Sequence, residues 1–171
     1  MRLTEDFFNR NAVTVARELL GKYLVRKIAD KILSAKITEV EAYKGTEDLA
    51  CHASKGLTPR TRVLFGPPGR TYVYLVYGMY HCLNFVAEKD GYPAGVLIRA
   101  VDIPGGSGPG RLCRLLDVAG EHNDLPVDNN FIWVEDRGGL VRSSQVTTTK
   151  RIGVEYAGVW ADKPWRFVLS R

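Results

Sequence analysis

The sequence predicts an α+β fold, a single mixed domain over residues 1–171 around a curved, mainly antiparallel β-sheet with peripheral short helices and a protruding β-hairpin. The 171 residues and the 45% share of hydrophobic residues suit one domain with a sizeable core. The β-rich segments follow one another closely, which favours antiparallel pairing, because parallel strands need crossovers of a dozen or more residues. Segments with helical periodicity are few and short.

The amino-terminal part of the chain predicts one helix followed by a β-hairpin. Apolar residues recur at helical spacing from Ala12 to Leu20, with Asn11 as a good N-cap before them and Gly21 where a C-cap residue belongs. The segments 23–28 and 32–43 are rich in aliphatic and β-branched residues, and a short polar stretch separates them. This pattern predicts two paired strands, of which the second is the longer.

A loop and a short helix are predicted next. Residues 44–57 contain two glycines, charged residues and the pair Cys51-His52, which indicates a loop of the length that often carries function. Thr58 followed by Pro59 is typical of an N-cap and the first position of a helix. The glycines and prolines of 66–69 would end that helix.

The rest of the chain predicts further strands and one more short helix. Strands are expected at 71–77, 80–86, 94–101, 131–135 and 165–170. The turns between the first three are short, so these strands are expected to pair as antiparallel neighbours. A glycine-rich loop precedes the last helix, whose apolar positions lie between Leu112 and Leu116.

Charge, cysteine content and hydropathy narrow the class of protein. The 24 Lys and Arg residues against 19 Asp and Glu residues give a net charge of +5, a weak indication of a polyanionic partner. Three cysteines without C-x-x-C spacing indicate thiols in a reducing compartment. No apolar run approaches the roughly 20 residues of a membrane helix, and residues 1–10 lack the features of a secretion signal. We therefore expect a soluble cytoplasmic protein.

Common cofactor motifs are incomplete in this chain. The glycine-rich loop 104–110 lacks both the G-K-[ST] ending of a P-loop and the G-x-G-x-x-G pattern within a βαβ unit, which disfavours nucleotide hydrolysis and dinucleotide binding. The pairs Cys51-His52 and His81-Cys82 are sequence neighbours, and neighbours on a strand point to opposite faces, which disfavours zinc. We expect no metal and no cofactor.

The long second strand carries a candidate catalytic carboxylate. Strict alternation puts the following side chains on one face: Leu33, Ala35, Ile37, Glu39, Glu41 and Tyr43. This face begins apolar and ends in an acid beside an aromatic ring, so we expect Glu41 at the mouth of a pocket, where it can act as a general base on water. A solvated glutamate at a strand end is the alternative. Arg99 lies in a strand that is predicted to be buried and needs a carboxylate partner, for which Glu41 is a candidate.

A tyrosine-rich hairpin is the most informative stretch of the sequence. Alternation places Tyr72 and Tyr74 on one face of the strand and Tyr77 at the hairpin tip. A large ring exposed at a tip is typical of side chains that wedge into a base stack. The alternative is that these tyrosines only favour sheet formation.

Six segments, taken together and in order, resemble the alkyladenine (3-methyladenine) DNA glycosylase family of the mammalian type. They are Glu39-Val40-Glu41-Ala42-Tyr43-Lys44-Gly45 with Asp48 and His52, Thr58-Pro59-Arg60-Thr61-Arg62, Tyr72 to Tyr80 closing on Asn84, Val96-Leu97-Ile98-Arg99-Ala100, Ser107-Gly108-Pro109, and Arg151-Ile152-Gly153-Val154. The resemblance covers nearly the whole chain.

The resemblance implies a monofunctional base-excision enzyme without lyase activity. Such an enzyme flips an alkylated or deaminated purine (3-methyladenine, 7-methylguanine, hypoxanthine or ethenoadenine) out of duplex DNA and hydrolyses its N-glycosidic bond. Carried over position by position, the resemblance implies that Glu41 is the general base and that Arg99 holds both the water and Glu41. It implies that Tyr43 and Tyr74 stack on the flipped base and that His52 contacts the base or its phosphate. It further implies that Asn84 crowds the 2-amino group of guanine and that Tyr77 fills the gap in the duplex. No lysine is implied as a nucleophile.

Two other classes of function stay open at this point, a non-catalytic damaged-DNA-binding domain and a small-molecule enzyme. The resemblance favours the glycosylase, with damaged double-stranded DNA as its partner and no required protein partner. We expect a monomer, located in the cytoplasm and on the nucleoid if the source is a prokaryote. The connection between Arg99 and Ser107 is shorter than in the relatives that the chain resembles, which predicts fewer DNA contacts.

Overall fold

The computed structural model describes residues 1–170, which form an eight-stranded sheet with short helices around it. The strands are β1 (Tyr23–Ile28), β2 (Lys31–Lys44), β3 (Thr71–Val76), β4 (Tyr80–Val86), β5 (Ala94–Val101), β6 (Ile132–Glu135), β7 (Val146–Thr149) and β8 (Arg166–Leu169). The α-helices are α1 (Glu5–Phe8), α2 (Ala12–Leu19) and α3 (Pro109–Leu115). Short 3₁₀ segments lie at His52–Lys55, Arg62–Phe65, Gly120–His122, Ser143–Gln145 and Glu155–Asp162.

Strand β2 is the centre of the sheet. Residues 31–36 pair with β1, residues 37–44 pair with β5, and Glu39 to Glu41 also pair with β8 on the other edge. The order of the strands in the sheet is β3-β4-β5-β2-β1-β6. Outside this order, β8 pairs with β2, and β7 pairs with β8. Every strand pair is antiparallel. The predicted α+β class, with an antiparallel sheet that curls around the core, is confirmed.

Helix α2 covers the core side of the sheet. Its buried residues Val15, Ala16 and Leu19 recur at helical spacing and pack against β2 and β5 in the main core. The predicted N-cap is confirmed: the Asn11 side chain accepts hydrogen bonds from the backbone N–H groups of Val13 (3.0 Å) and Thr14 (3.4 Å).

The core-facing side of β2 changes halfway along the strand. Ala35 and Ile37 belong to the main core, and so do Val40 and Ala42, which lie an odd number of residues further on. The second half of the strand therefore turns its other set of side chains, including Glu41, away from the core. The prediction that the apolar first half of β2 shares a face with Glu41 is wrong, because strict alternation does not survive this point.

An irregularity in the pairing of β2 with β5 accompanies the change of face. The partners shift around Glu39, with Ile37 opposite Val101, Glu39 opposite Ala100 and Val40 opposite Ile98. Such irregularities bend a strand and re-aim its side chains, and they concentrate next to functional sites. Here the irregularity separates a structural half of β2 from a half that faces a pocket.

The hairpin of β3 and β4 agrees closely with the prediction. The two strands pair from Thr71 opposite Phe85 to Val76 opposite Tyr80, and the tight turn between them contains Tyr77. The Tyr77 backbone adopts a left-handed conformation with φ +53°. The hairpin tip therefore presents this side chain to solvent.

The helix predicted from Thr58 is reduced to the single 3₁₀ turn Arg62–Phe65. Thr58 and Thr61 bond instead to each other: each hydroxyl accepts the other residue's backbone N–H, at 2.8 and 3.2 Å. This local side-chain to backbone bonding competes with helix formation and closes a turn in its place. The sequence patterns also did not indicate α1, β7 or the 3₁₀ segment Glu155–Asp162, which are short or weakly periodic.

The connection from β5 to α3 folds back tightly on the strand. The Val101 N–H donates to the Gly106 carbonyl (3.0 Å), and the Gly108 N–H donates to the Arg99 carbonyl (2.9 Å). A Cβ atom at Gly106 would lie 2.8 Å from the Val101 carbonyl oxygen, so this close approach requires glycine. The short connection thus holds α3 next to Arg99.

The three cysteines are free thiols, as the sequence predicts, and all three are buried. Burial raises the pKa of Cys51 and of Cys113 to about 12, so these two remain thiols at neutral pH. Within residues 1–170, no helix combines the length and the hydropathy that crossing a membrane requires.

We expect Asn11→Ala to lower the free energy of unfolding by about 1 kcal/mol, because it leaves the first N–H groups of α2 without an acceptor. Urea unfolding at pH 7 measures the difference. Asn9→Ala is the matched control, since Asn9 is exposed and its side chain accepts no hydrogen bond from the described residues. Equal losses in both variants would contradict the role of Asn11.

Candidate active site

A pocket of about 510 Å³ opens on the side of the sheet that faces away from the main core. Six of the seven site residues predicted from the sequence line it: Tyr43, His52, Tyr74, Tyr77, Asn84 and Arg99. They come from β2, from the 3₁₀ turn after it, from the β3–β4 hairpin and from β5. The volume lies in the range of sites that bury a small organic ligand.

Glu41 lies beneath the floor of this pocket and not at its mouth. Its side chain has 0% exposure to solvent. Carboxylate oxygen Oε1 accepts the backbone N–H of Ile152 (2.7 Å), and Oε2 accepts the hydroxyl of Tyr43 (2.6 Å). Both Tyr43 and Ile152 line the pocket, so the carboxylate is one layer away from it. The prediction that Glu41 and Tyr43 share a face is confirmed, whereas the predicted position at the pocket mouth is wrong.

Arg99 is held by two carboxylates. Its Nε donates to Oε1 of Glu39 (3.0 Å), and its Nη1 lies 3.5 Å from Oε2 of Glu41. The expected partner, Glu41, is therefore the more distant of the two. Sequence reasoning missed Glu39 as a partner, although the alternation of β2 placed it beside Glu41.

Aromatic rings form one wall of the pocket. The rings of Tyr72 and Tyr74 lie 5.3 Å apart between centroids, which confirms that they share a face, and the His52 ring lies edge-on to Tyr74 at 4.5 Å. Burial raises the pKa of Tyr72 to about 12 and that of Tyr74 still further, so both phenols stay protonated at neutral pH. Burial also raises the pKa of Tyr43, and the neighbouring Glu41 adds to that effect.

His52 is neutral in this environment. Burial, and to a smaller extent the nearby Arg60 guanidinium, lower the pKa of its imidazole from 6.5 to about 4. Its Nδ1 lies 2.9 Å from the Tyr72 hydroxyl, which fixes the orientation of the ring. A neutral imidazole contributes a polar atom to the pocket without adding positive charge.

The last two predicted residues, Asn84 and Tyr77, differ in their exposure to solvent. Asn84 is buried on β4, where its Nδ2 donates to the Tyr72 carbonyl (3.1 Å). Tyr77 is 88% exposed at the rim of the pocket. The Tyr77 ring therefore projects from the protein, whereas the Asn84 amide helps to shape the interior.

Comparisons with known proteins identify the family. A family profile described as "Methylpurine-DNA glycosylase (MPG)" matches residues 6–107 and 106–171. The chain belongs to the methylpurine-DNA glycosylase family. The family resemblance found in the sequence is thereby confirmed.

Relatives of this chain bear the name "Putative 3-methyladenine DNA glycosylase". The protein of Methanocella arvoryzae is 47% identical over 184 residues, which cover 96% of this chain and 90% of the relative. The protein of Myxococcus xanthus is 48% identical over 171 residues, covering 96% and 88%. That of Legionella pneumophila (strain Lens) is 45% identical over 176 residues, covering 99% and 94%.

A buried ion pair that sequence reasoning missed supports Tyr43. Asp48 and Arg151 have side chains with 0% exposure and form two bonds, of 2.6 and 2.9 Å. Arg151 also donates to the carbonyls of Ala42 and Trp160, and its guanidinium lies 4.8 Å from the centre of the Tyr43 ring. The pair ties the loop after β2 to the segment after β7. Its signal in the sequence was weak, because Arg151 stands among polar residues and looks like a surface charge.

Arg60 is a second pocket residue for which the sequence analysis gave no individual role. Its guanidinium lies 5.3 Å from the centre of the Tyr74 ring and lines the pocket. Its cation faces the aromatic wall from the solvent side. Within residues 1–170, no group of three or more His, Cys, Asp or Glu side chains is placed to hold a metal ion.

The low pKa of His52 predicts a pH-dependent stability. A histidine whose folded pKa is about 4, against 6.5 unfolded, stabilises the fold above pH 6.5, and this contribution is lost as the pH falls towards 4. We expect His52 to account for a loss of about 2 kcal/mol between pH 7 and pH 5. Urea unfolding of wild type and His52→Gln at both pH values isolates the contribution of His52 to this loss of stability.

The variant should lose less stability on acidification than the wild type. His81→Gln is the control for loss of an imidazole, since His81 makes no side-chain hydrogen bond within residues 1–170. An equal loss of stability in wild type and His52→Gln would show that His52 does not titrate in this way.

Proposed function

We propose that this protein is a monofunctional DNA glycosylase that removes 3-methyladenine, and other alkylated or deaminated purines, from duplex DNA. The observation that carries the proposal is the Glu41 carboxylate, which has no exposure to solvent and lies directly beneath a pocket lined by aromatic rings. A buried carboxylate is costly, and such groups concentrate where proton transfer is needed. The names of the relatives support the same activity.

Glu41 is the proposed general base. It accepts a proton from a water molecule as the water oxygen bonds to C1′ of the deoxyribose, and the C1′–N bond breaks with its electron pair passing to the departing purine. The bonds from Ile152 N–H and the Tyr43 hydroxyl fix the orientation of the carboxylate and leave lone pairs free for water. Arg99 lies close enough to hold the same water.

The pocket suits a flipped purine, above all a cationic one. Tyr43 and Tyr74 offer ring faces for stacking, and a methylated purine such as 3-methyladenine carries a positive charge that such rings attract. The neutral His52 and the protonated phenols add no positive charge that would repel it. The positive charge also makes the purine a better leaving group, so one carboxylate suffices.

Selection of the damaged base is assigned to two further residues. The buried Asn84 amide is proposed to crowd the 2-amino group of a normal guanine. The exposed Tyr77 is proposed to enter the duplex and occupy the space of the flipped nucleotide. Its left-handed backbone favours this role, because strained conformations are kept where function needs them.

The proposed reaction ends with base release. Among the described residues no lysine lines the pocket, which supports hydrolysis by water over a Schiff base and strand cleavage. We further propose that the protein acts as a monomer, since one damaged base per duplex presents no symmetry for a second copy.

We expect Glu41→Gln to slow base release by roughly 10²–10⁴-fold, because the amide cannot accept the proton from water. The measurement is single-turnover release from duplexes that contain a stable 3-methyladenine analogue, 7-methylguanine, hypoxanthine or ethenoadenine. Affinity for the lesion duplex should be retained, since the carboxylate lies below the pocket. No release by the wild type, with equal DNA binding by both proteins, would instead favour a non-catalytic damaged-DNA-binding domain.

We expect Tyr77→Gly to change stability and affinity in opposite directions. Glycine relieves the positive φ and should raise the free energy of unfolding by up to about 1 kcal/mol. Loss of one stacked ring should weaken binding of a lesion duplex by about tenfold. Phe131→Ala is the matched control, an exposed ring at the far edge of the sheet that should leave affinity unchanged. Unchanged affinity in Tyr77→Gly would refute the wedge role.

A further inference from the structure

Glu39 lies in an ion-pair network beside the proposed general base. Its Oε1 accepts two hydrogen bonds, from Nε of Arg99 (3.0 Å) and from Nε of Arg166 (2.7 Å). Arg99 continues the network to Oε2 of Glu41 at 3.5 Å. Positive and negative side chains therefore alternate along this network, in the order Arg166, Glu39, Arg99, Glu41. Its two cations balance its two anions.

The irregular pairing of β2 creates this arrangement. Glu39 is the residue at which the register with β5 shifts on both sides, and it lies opposite Ala100 rather than Arg99. Strand β8 supplies Arg166, which is opposite Glu41 in the pairing with β2. Strands β5 and β8 thus each place an arginine side chain against the Glu39 carboxylate of β2.

The distances indicate what Glu39 does for Arg99. A bond at Nε anchors the guanidinium on the Glu39 side and keeps its Nη1 at 3.5 Å from Glu41, beyond a normal hydrogen bond. Without the charge on Glu39, Glu41 is the anion nearest to Arg99 among the described residues, and the attraction between charges shielded from water is strong. The guanidinium would then close onto Glu41 as a bidentate pair and cover the lone pairs that a water molecule needs.

We propose that Glu39 is a positioning residue, which holds Arg99 away from Glu41 and so keeps the carboxylate open to the attacking water. This inference rests on the proposed glycosylase function. The other titratable groups near Glu41 include Tyr74 on β3 and Cys82 on β4, whose pKa values are raised by burial, so both stay uncharged at neutral pH. Arg99 on β5 is the cation paired with the carboxylate.

The exposure of the network makes Glu39 testable. The side chains of Glu39, Arg99 and Arg166 are 15%, 14% and 23% exposed, along the wall of a second cavity of about 430 Å³. A substitution at Glu39 therefore leaves its partners in contact with water, unlike a change at the fully buried Glu41. Glu39→Gln keeps the shape and an acceptor oxygen while it removes the charge.

We expect Glu39→Gln to slow single-turnover base release by 10- to 100-fold, with the affinity for the lesion duplex within about twofold of wild type. Glu39→Asp, which keeps the charge, should recover part of the rate. In an Arg99→Gln background the Glu39→Gln change should have almost no further effect, because Glu39 acts through Arg99. Glu135→Gln is the matched control: Glu135 also accepts two side-chain donors, Trp133 and Arg137, but lies on the edge strand β6.

Three results would overturn the proposal. They are a wild-type rate in Glu39→Gln, an equal slowing by that change with and without Arg99, and equal losses of rate and thermal stability in the Gln and Asp variants. A crystal structure of Glu39→Gln gives a readout that needs no activity: Arg99 should move to within hydrogen-bond distance of both Glu41 oxygens. If the wild type releases no base, the proposed function fails, and an unmoved Arg99 in that structure then refutes the positioning role separately.

Discussion

A fully buried carboxylate is the constraint on which the site depends. An ionised Glu41 without exposure to water has to be compensated inside the protein, because an unpaired buried charge is costly. The compensation comes from a backbone N–H, a phenol and a guanidinium, each supplied by a different part of the chain. The fold therefore has to bring Ile152 and Arg99 to β2, more than fifty residues away in sequence.

The sheet meets this requirement through its central strand. Ala35 and Ile37 in the first half of β2 pack into the core, and the second half packs Val40 and Ala42 there while it turns Glu41 and Tyr43 away from it. The Asp48–Arg151 pair then closes the segment that carries Ile152 over the carboxylate. Stability and chemistry are divided between the two faces of one sheet, so the core can remain apolar while the charged groups gather on the other side.

The distribution of charge around the pocket follows from the same division. The rings that line it are kept neutral by burial, as the low pKa of His52 and the high pKa of Tyr72 and Tyr74 show. The permanent positive charges of the pocket belong to Arg99, which is paired with Glu39 and Glu41, and to Arg60, which faces Tyr74 at the rim. The uncharged rings next to a buried carboxylate are the feature on which the proposed preference for a positively charged purine rests.

The sequence predicted seven of the eight strands, the N-cap of α2, the tyrosine hairpin and the family, because each depends on local periodicity, turn residues or motifs that are contiguous in the chain. It also predicted six residues of the pocket lining. The burial of Glu41, the primary pairing of Arg99 with Glu39, and the Asp48–Arg151 pair became visible only in the folded chain. Ion pairs join residues that are distant in sequence, and a local irregularity in one strand inverts which side chains face inward, so neither can be derived from a periodic pattern.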